Sequence, residues 1–356
     1  MKNITKYIAG ALIIILAAFF AQQHVASAHE VYVLTNGQIS SAESIPAFDM
    51  FDVAKDNLGE FTFWAFITIF TIFCIFFISI IRKLEKWLHP FFVKARKHAP
   101  LVARVTVGIS FLAAAYYQAS YGPELPLAAT YGFLTPAVTS VLITIGLMVI
   151  VGFYARAAAL IALAMYTVAV WFHGLYMLTY INYLGEIIVL LLIGAHGTSL
   201  DAYLAKKRGR KPHQSLFMKE LTAKVAPMSF AILRICFGIS LIFASAYAKV
   251  IYNNLGLFTV VKYHLDTLLG FEPHFLVLGA AIIEIVIGTF IVFGFELRFA
   301  SLFFEFWLMV SLYFFGEVVW PHIILIGIPI ALIMYGYDEY SLEGFLLRKN
   351  KYEPVL

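Results

Sequence analysis

The chain has 356 residues, of which 62% are hydrophobic and only 13% are charged, with a formal net charge of +4. This composition is too apolar for a soluble globular protein. Several apolar runs of roughly 18 residues or more match the length that a helix needs to cross a bilayer core of about 30 Å. We therefore expect an all-α polytopic membrane protein. The basic residues flank apolar runs, which is typical of an orientation signal, so we expect no nucleic-acid partner.

Residues 1–28 are predicted to form a secretory signal peptide. Lys2 and Lys6 precede an apolar core, and the small residues 26–28 (Ala-Ser-Ala) supply a cleavage site. The alternative is an uncleaved anchor helix. Cleavage would make His29 the first residue, and its α-amino and imidazole nitrogens can together chelate a copper ion. His29 is thus the candidate metal ligand, although a histidine can also follow a cleavage site by chance.

Three segments precede the rest of the apolar chain. Residues 29–58 are polar and acidic and are predicted to form a short external segment, too small for a core of its own. Residues 59–82 are predicted to form an extra transmembrane helix. Residues 83–100 are basic and contain aromatic side chains, which predicts a cytoplasmic amphipathic linker lying on anionic headgroups.

The remaining chain contains an internal repeat. RVTVGIS at 104–110 matches RICFGIS at 234–240, GFYAR at 152–156 matches GFELR at 294–298, and GAHGTSLD at 194–201 matches GYDEYSLE at 336–343. An internal repeat of this kind constrains the fold before any other feature. The two copies, repeat 1 (101–205) and repeat 2 (227–345), are separated by a basic cytoplasmic linker (206–226) and followed by a cytoplasmic tail (346–356).

Each repeat is predicted to supply four membrane spans. They lie at roughly 101–118, 133–153, 157–176 and 180–197, and at roughly 229–248, 274–294, 299–316 and 321–338. If the mature N-terminus is outside and the C-terminus is cytoplasmic, every basic cluster lies on the cytoplasmic side of the cell (inner) membrane. Because four spans is an even number, the repeats are parallel, and we expect two tandem four-helix transmembrane bundles.

The repeat unit resembles the DoxX family of small four-helix membrane proteins. The resemblance rests on the opening Arg-x-x-x-Gly helix, the turn that ends at Arg298, the closing residues Ser341-Leu-Glu343, and a glutamate on the second helix. Repeat 2 resembles the family more closely, because Lys249 and Glu284 occupy places that Ala119 and Leu142 occupy in repeat 1. DoxX and DoxD-type proteins are linked to thiosulfate:quinone oxidoreductase and other membrane redox complexes, so the resemblance implies a role of that kind.

Ionisable residues inside predicted spans are the candidate site residues, since each costs about 2.5–3.5 kcal/mol to insert. Glu284 lies mid-span, where it is either a proton-handling group beside a quinone headgroup or a protonated carboxyl that bonds another helix. Lys249 ends the preceding helix. Glu305 lies on the next helix, where we expect an ion pair with Arg298 or Arg234. Glu186 lies on the last helix of repeat 1 without a counterpart in repeat 2.

Two further groups have simple explanations. Arg104 and Arg234 stand near the cytoplasmic ends of their helices, where a long side chain can extend to the headgroups. His264, His274 and His322 are predicted to lie on the external side. They could bind a metal together with His29, but their spacing forms no ligand motif.

The sequence favours a membrane component of a redox system, quinone-linked and acting with a partner subunit. Lys249, Glu284 and Glu305 are the predicted catalytic residues, and quinone is the predicted cofactor. No haem, flavin, iron–sulfur, nucleotide or soluble-hydrolase motif is visible, so electrons must come from quinone or from the partner. The alternatives are a copper-handling or small-solute transporter and a non-catalytic assembly subunit.

Overall fold

The computed structural model describes residues 33–195, 199–207, 216–316 and 319–347. The predicted signal peptide, His29 and the last nine residues of the predicted tail lie outside the described residues. Within the described ranges the chain folds into α-helices with short 3-10 and π turns and contains no strand, only one isolated bridge between Ala119 and Pro126. The all-α fold class is therefore confirmed.

The helices follow the predicted order. Before the repeats come α1 (Asn36–Ser44), α2 (Met50–Asn57) and α3 (Phe61–Arg96). Repeat 1 contains α4 (Ala99–Tyr117), α5 (Leu127–Tyr131), α6 (Thr135–Val151), α7 (Ala155–His173) and α8 (Ile181–Ile193), and α9 (Leu200–Lys207) follows it. Repeat 2 contains α10 (Leu216–Ala246), α11 (Asn254–Lys262), α12 (Leu265–Leu269), α13 (Pro273–Phe293), α14 (Leu297–Phe315), α15 (His322–Tyr335) and α16 (Leu342–Leu347).

Seven helical stretches of the described residues are long and apolar enough to cross a membrane. One of them, Ala155–Ile193, holds both α7 and α8, and α15 is a shorter apolar helix. Each of the nine spans predicted after the signal peptide therefore corresponds to an apolar helix or half of one. The chain is a polytopic helical membrane protein.

Helix α3 corrects the boundary predicted at residue 82. The basic segment is not a separate helix on the headgroups, because α3 continues through Pro90 to Arg96 as one helix of 36 residues. Two of its charged side chains bind the far repeat: Arg82 donates to Glu296, and Glu85 accepts from Arg298 at 3.2 Å. These contacts hold the charged half of α3 against repeat 2, and no glycine stops the helix before that point.

The internal repeat is also a structural repeat. In repeat 1, α4 crosses α6 at Gly108 and Gly146, where an added Cβ on either glycine would lie about 3 Å from the carbonyl oxygen of the other. In repeat 2, α10 crosses α13 in the same way at Gly238 and Gly288. Small residues allow two membrane helices to approach this closely. The first two spans of each repeat therefore pack through the same pair of positions.

The two repeats do not form two separate bundles. The last span of each packs against the first span of the other: Gly185 of α8 lies against Leu233 and Cys236 of α10, and Gly327 of α15 lies against Thr106 of α4. Thr106 and Cys236 occupy equivalent places in the repeats. The contact is thus reciprocal, as at the interface of a two-fold dimer, and α4, α8, α10 and α15 form one shared core.

Arg104 and Arg234 are buried, with 4% and 1% of their surfaces exposed, so the prediction that they extend to the headgroups is wrong. Arg234 Nε donates to Asp338 at 3.0 Å, and Arg104 donates to the carbonyl oxygen of Ala195. Each guanidinium packs against the glycine of its repeat's turn, Gly152 or Gly294. Each arginine therefore holds the closing segment of its repeat (194–201 or 336–343) against that turn.

The segment before α3 has no core of its own, as predicted, and packs on repeat 2. Val33, Leu34 and Ala42 are buried against Ala248 and Leu255. The side chain of Asn253 also bonds both main-chain groups of Phe48, at 3.1 and 2.7 Å. This segment is therefore attached at the end of repeat 2 that carries α11.

Candidate functional site

A cavity of about 460 Å³ lies inside repeat 2, between α10, α13 and α14. Its wall is mostly apolar and rich in aromatic rings, including Phe275, Phe304, Phe314 and Phe315. Phe66 of α3 also reaches it. A largely apolar cavity of this size with few polar groups is the usual form of a small-molecule site.

The helices α11 and α12 form one side of this cavity, and they occur in repeat 2 alone. Between the two crossing glycines, repeat 1 has residues 109–145 and repeat 2 has residues 239–287, which is longer by 12. The cavity is lined in part by side chains of this longer connection, among them Thr259, Val260 and Leu265. The insertion therefore builds part of the site.

The polar part of the wall is an ion pair. Lys249 Nζ lies 3.0 Å from Glu284 Oε2, and the two side chains are 11% and 24% exposed. Lys249 belongs to a single π-helical turn, Tyr247–Ile251, that ends the span begun by α10. Such turns are frequent at functional sites because they redirect a side chain within a helix. This turn directs Lys249 toward α13.

Trp307 of α14 completes the polar group, since its Nε1 donates to Glu284 Oε1 at 3.3 Å. The ring of Trp307 is stacked on that of Phe303, with centroids 6.3 Å apart. Glu284 thus receives a cation on one oxygen and an indole N–H on the other. The structure brings together two of the three predicted catalytic residues, Lys249 and Glu284.

Glu305 is not part of this group. It does not line the cavity, and its Oε1 is buried without a hydrogen-bond partner. The expected ion pair with Arg298 or Arg234 is wrong, because those arginines bind Glu85 and Asp338 instead. Seven residues along a helix correspond to about 10 Å, which separates Glu305 from Arg298.

Sequence reasoning missed Trp307 and the two serines of the wall, Ser245 and Ser311. Trp307 gave no signal, since aromatic residues make up 17% of the chain and occur in most of its spans. The part of the cavity wall formed by α11 and α12 did leave a signal in the sequence. The offset between the repeats is constant only from the glycine–arginine turn onward, which places an insertion before it.

Repeat 1 has no equivalent ion pair. Ala119 and Leu142, in the places of Lys249 and Glu284, are both buried, and Ala119 forms the bridge with Pro126. The loop that follows is closed by tyrosine side chains around Glu124, whose Oε1 accepts hydrogen bonds from Tyr176 and Tyr180.

The predicted histidines do not converge. His274 pairs with the neighbouring Glu272, His322 is buried at the start of α15, and His264 precedes α12. Across the part of the chain that the structure describes, no group of three or more histidine, cysteine or acidic side chains could hold a metal ion. Copper binding by His29 stays a prediction, because that residue lies outside this part.

Comparison with family models, with curated proteins and with solved structures gives no match. The resemblance to the DoxX family therefore rests on its short motifs. The evidence for a function is therefore the geometry of the cavity.

Proposed function

We propose that the chain is the membrane component of a quinone-linked redox system and binds a quinone in the cavity of repeat 2. The observation that carries this proposal is a mostly apolar cavity with one ion pair, Lys249–Glu284, in its wall. A quinone combines a flat ring, two carbonyl oxygens and an apolar tail. The aromatic wall suits the ring and tail, and the ion pair suits one carbonyl.

The two charged residues have complementary roles in this proposal. The Lys249 ammonium donates to a quinone carbonyl oxygen and stabilises the negative charge that develops there on reduction. The Glu284 carboxyl exchanges a proton with the same oxygen, because general acids and bases act within hydrogen-bond reach. Trp307 orients Glu284 through its N–H and leaves a ring face for the quinone.

Electrons come from a partner subunit. Reduction of a quinone to a quinol consumes two electrons and two protons, and the sequence shows no motif for an electron carrier of its own. The resemblance to the DoxX family supports a thiosulfate:quinone oxidoreductase-like complex. An extramembrane partner would then deliver electrons to the quinone ring.

The proposal includes an orientation in the cell membrane, with the mature N-terminus outside and the C-terminus in the cytoplasm. Four arginines make their hydrogen bonds at the end of the helices that carries the two glycine turns. Their acceptors are main-chain carbonyl oxygens or Asp338; the arginines are Arg104, Arg156, Arg234 and Arg298. An excess of arginine and lysine is typical of the cytoplasmic side. Labelling of single cysteines placed at Lys55 and Lys206 would test this: reaction of Lys55→Cys alone from outside supports it, and the reverse contradicts it.

The function is tested with protein purified in detergent. Co-purified quinone is extracted and measured, and a short-chain quinone is titrated while tryptophan fluorescence is recorded. We expect Lys249→Met and Glu284→Gln to weaken binding by at least tenfold. The matched control is Glu305→Gln, which removes a buried carboxyl outside the cavity and should bind normally.

Unchanged quinone binding in both cavity variants would contradict the proposal. Absence of quinone together with a stable co-purifying enzyme would favour an assembly subunit instead. One copper ion at a mature N-terminal His29, with no quinone, would favour copper handling.

A further inference from the structure

A second group of buried polar side chains lies at the interface between the repeats, away from the cavity. Glu186 of α8 is 1% exposed, and neither of its carboxyl oxygens has a hydrogen-bond partner. Asn182 Oδ1 is likewise buried without a partner, and Ser110 Oγ and Tyr183 Oη are buried beside each other with no other partner. More than nine-tenths of buried polar groups in proteins have a partner, and bound water supplies it where the protein does not.

These side chains are neighbours on two helices. Asn182 and Tyr183 lie four and three residues before Glu186 on α8, which places each of them beside Glu186 on the helix surface. Ser110 of α4 lies beside the Tyr183 hydroxyl. Thr106 of α4 lies beside Glu186, but its hydroxyl donates to the carbonyl oxygens of Val102 and Ala103 at 3.0 Å. The unpartnered oxygens of Glu186 and Asn182 are the atoms to which a buried water molecule would donate.

The other helices packed on α8 bring no charge to Glu186. Helix α10 contributes the Cys236 thiol beside Gly185. Helix α7 contributes Tyr166, whose hydroxyl donates to the carbonyl oxygen of Met177 at 2.8 Å. No ion pair involves Glu186 among the described side chains. A buried carboxyl in the membrane without a cation is a common feature of proton relays.

A chain of tyrosines connects this group to the surface. At the outer end, the Tyr247 hydroxyl donates to the exposed Glu43 at 3.3 Å. The ring of Tyr247 lies 5.2 Å from that of Tyr176, whose hydroxyl donates to Glu124 Oε1 at 3.0 Å. Tyr180 donates to the same oxygen.

The inner half of the chain follows α8. The ring of Tyr180 lies 6.3 Å from that of Tyr183. Tyr183 lies one helical turn before Glu186 on α8. Tyrosine side chains and carboxyl groups therefore follow one another from Glu43 at the surface to Glu186 in the shared core.

We propose that these side chains and the water molecules between them form a proton route from the surface to Glu186, which takes up and releases the proton. At each step one O–H bond breaks in the donor and one forms in the acceptor, so the charge moves while the groups stay in place. The ligand of the buried group is thus water, and its function is proton exchange. This inference does not depend on quinone binding.

The route is tested by infrared spectroscopy of the full chain in detergent. The C=O stretching band of a protonated carboxyl shifts when its hydrogen is replaced by deuterium. The difference between the parent protein and Glu186→Gln identifies the Glu186 band, and Glu186→Asp moves that band if the glutamine variant fails to fold. We expect the band to shift promptly after transfer to D2O.

Tyr183→Phe removes a hydroxyl from the route and should slow the shift at least tenfold. Tyr166→Phe is the matched control, since its hydroxyl lies off the route, and should leave the rate unchanged. A Glu186 band that resists D2O while the surrounding amides exchange would overturn the proposal. So would equal rates in the two tyrosine variants, or a Glu186 carboxylate that is ionised and binds sodium.

Discussion

The two repeats are alike at one end and different at the other. At the glycine turns, Arg104 and Arg234 bind the closing segments, and the backbone nitrogens of Asp201 and Glu343 donate to the carbonyl oxygens of Gly152 and Gly294 at 3.3 and 3.1 Å. At the opposite end, repeat 1 is packed with tyrosines around Glu124, and repeat 2 has a cavity with an ion pair.

This contrast separates what the fold requires from what a site requires. The turn end fixes the arrangement of helices and is therefore the same in both copies. The loop end differs between the copies, because repeat 2 has 12 more residues there and carries Lys249 and Glu284 where repeat 1 has Ala119 and Leu142. The main structural difference between the repeats therefore lies at the loop end.

The largest expected effect comes from the glycine crossing that both repeats share. An added Cβ at Gly238 would lie 2.7 Å from the carbonyl oxygen of Gly288 and 2.8 Å from the nitrogen of Val292. Because these are backbone atoms that cannot move aside, we expect Gly238→Ala to destabilise the fold at the upper end of the about 1–3 kcal/mol range for overpacking. Thermal unfolding in detergent measures this.

Gly279→Ala is the control on α13, one of the two helices of this crossing, at a position that faces α3 instead. Its Cβ would meet only the Phe66 ring at 3.5 Å, an ordinary contact, so stability should hardly change. Gly108→Ala in repeat 1 should behave like Gly238→Ala. Equal stability of Gly238→Ala and Gly279→Ala would show that the crossing is looser than the structure indicates.

A smaller effect is expected from converting the site of repeat 2 to the residues of repeat 1. Lys249→Ala leaves Glu284 without its cation, and we expect a loss of about 1–2 kcal/mol. This is below the about 3–5 kcal/mol of a fully buried pair, since Glu284 is 24% exposed.

The double variant Lys249→Ala, Glu284→Leu removes both charges and should recover part of that loss of stability. A double-mutant cycle of unfolding free energies gives the coupling between the two residues. Additive effects of the two single changes would mean that the ion pair contributes nothing to the fold.

The sequence predicted the helices and the repeat well because both produce regular sequence patterns. Apolar runs of span length and the matched glycine–arginine turns need no partner to be recognised. It also singled out Glu284 as a charge within an apolar span and Lys249 through the family resemblance, and the structure brings the two together as an ion pair.

The sequence did not predict how the repeats interlock. Gly185 and Gly327 contact residues in the other copy, and a repeat pattern does not say whether the last helix of a copy packs on its own first helix or on its partner's. The predicted ion pair of Glu305 with Arg298 or Arg234 was wrong for the same reason. Arg298 binds Glu85, a residue 213 positions away on a helix that was predicted to end sooner.

The smallest expected effect, counted for each pH unit, is a pH dependence that distinguishes Glu343 from Asp201, the acids at the ends of the two repeats. Burial, with the nearby Glu85 charge, raises the pKa of Glu343 to about 8, opposed by the N–H of Leu297 that donates to its carboxyl. Asp201 occupies the same place in repeat 1, is only partly buried, and accepts from the backbone nitrogen of Tyr154 at 2.8 Å.

Because the folded state holds the proton of Glu343 more tightly than the unfolded state, its contribution to stability is complete below the ordinary pKa of 4.5 and falls as pH rises toward 8. The fall is at most about 1.4 kcal/mol for each pH unit. Unfolding temperatures between pH 5 and pH 8 should therefore decline, and Glu343→Gln should flatten the decline while Asp201→Asn leaves it in place. The same slope in Glu343→Gln as in the parent protein would assign the pH dependence to another group and leave the closing acids of the two repeats equivalent.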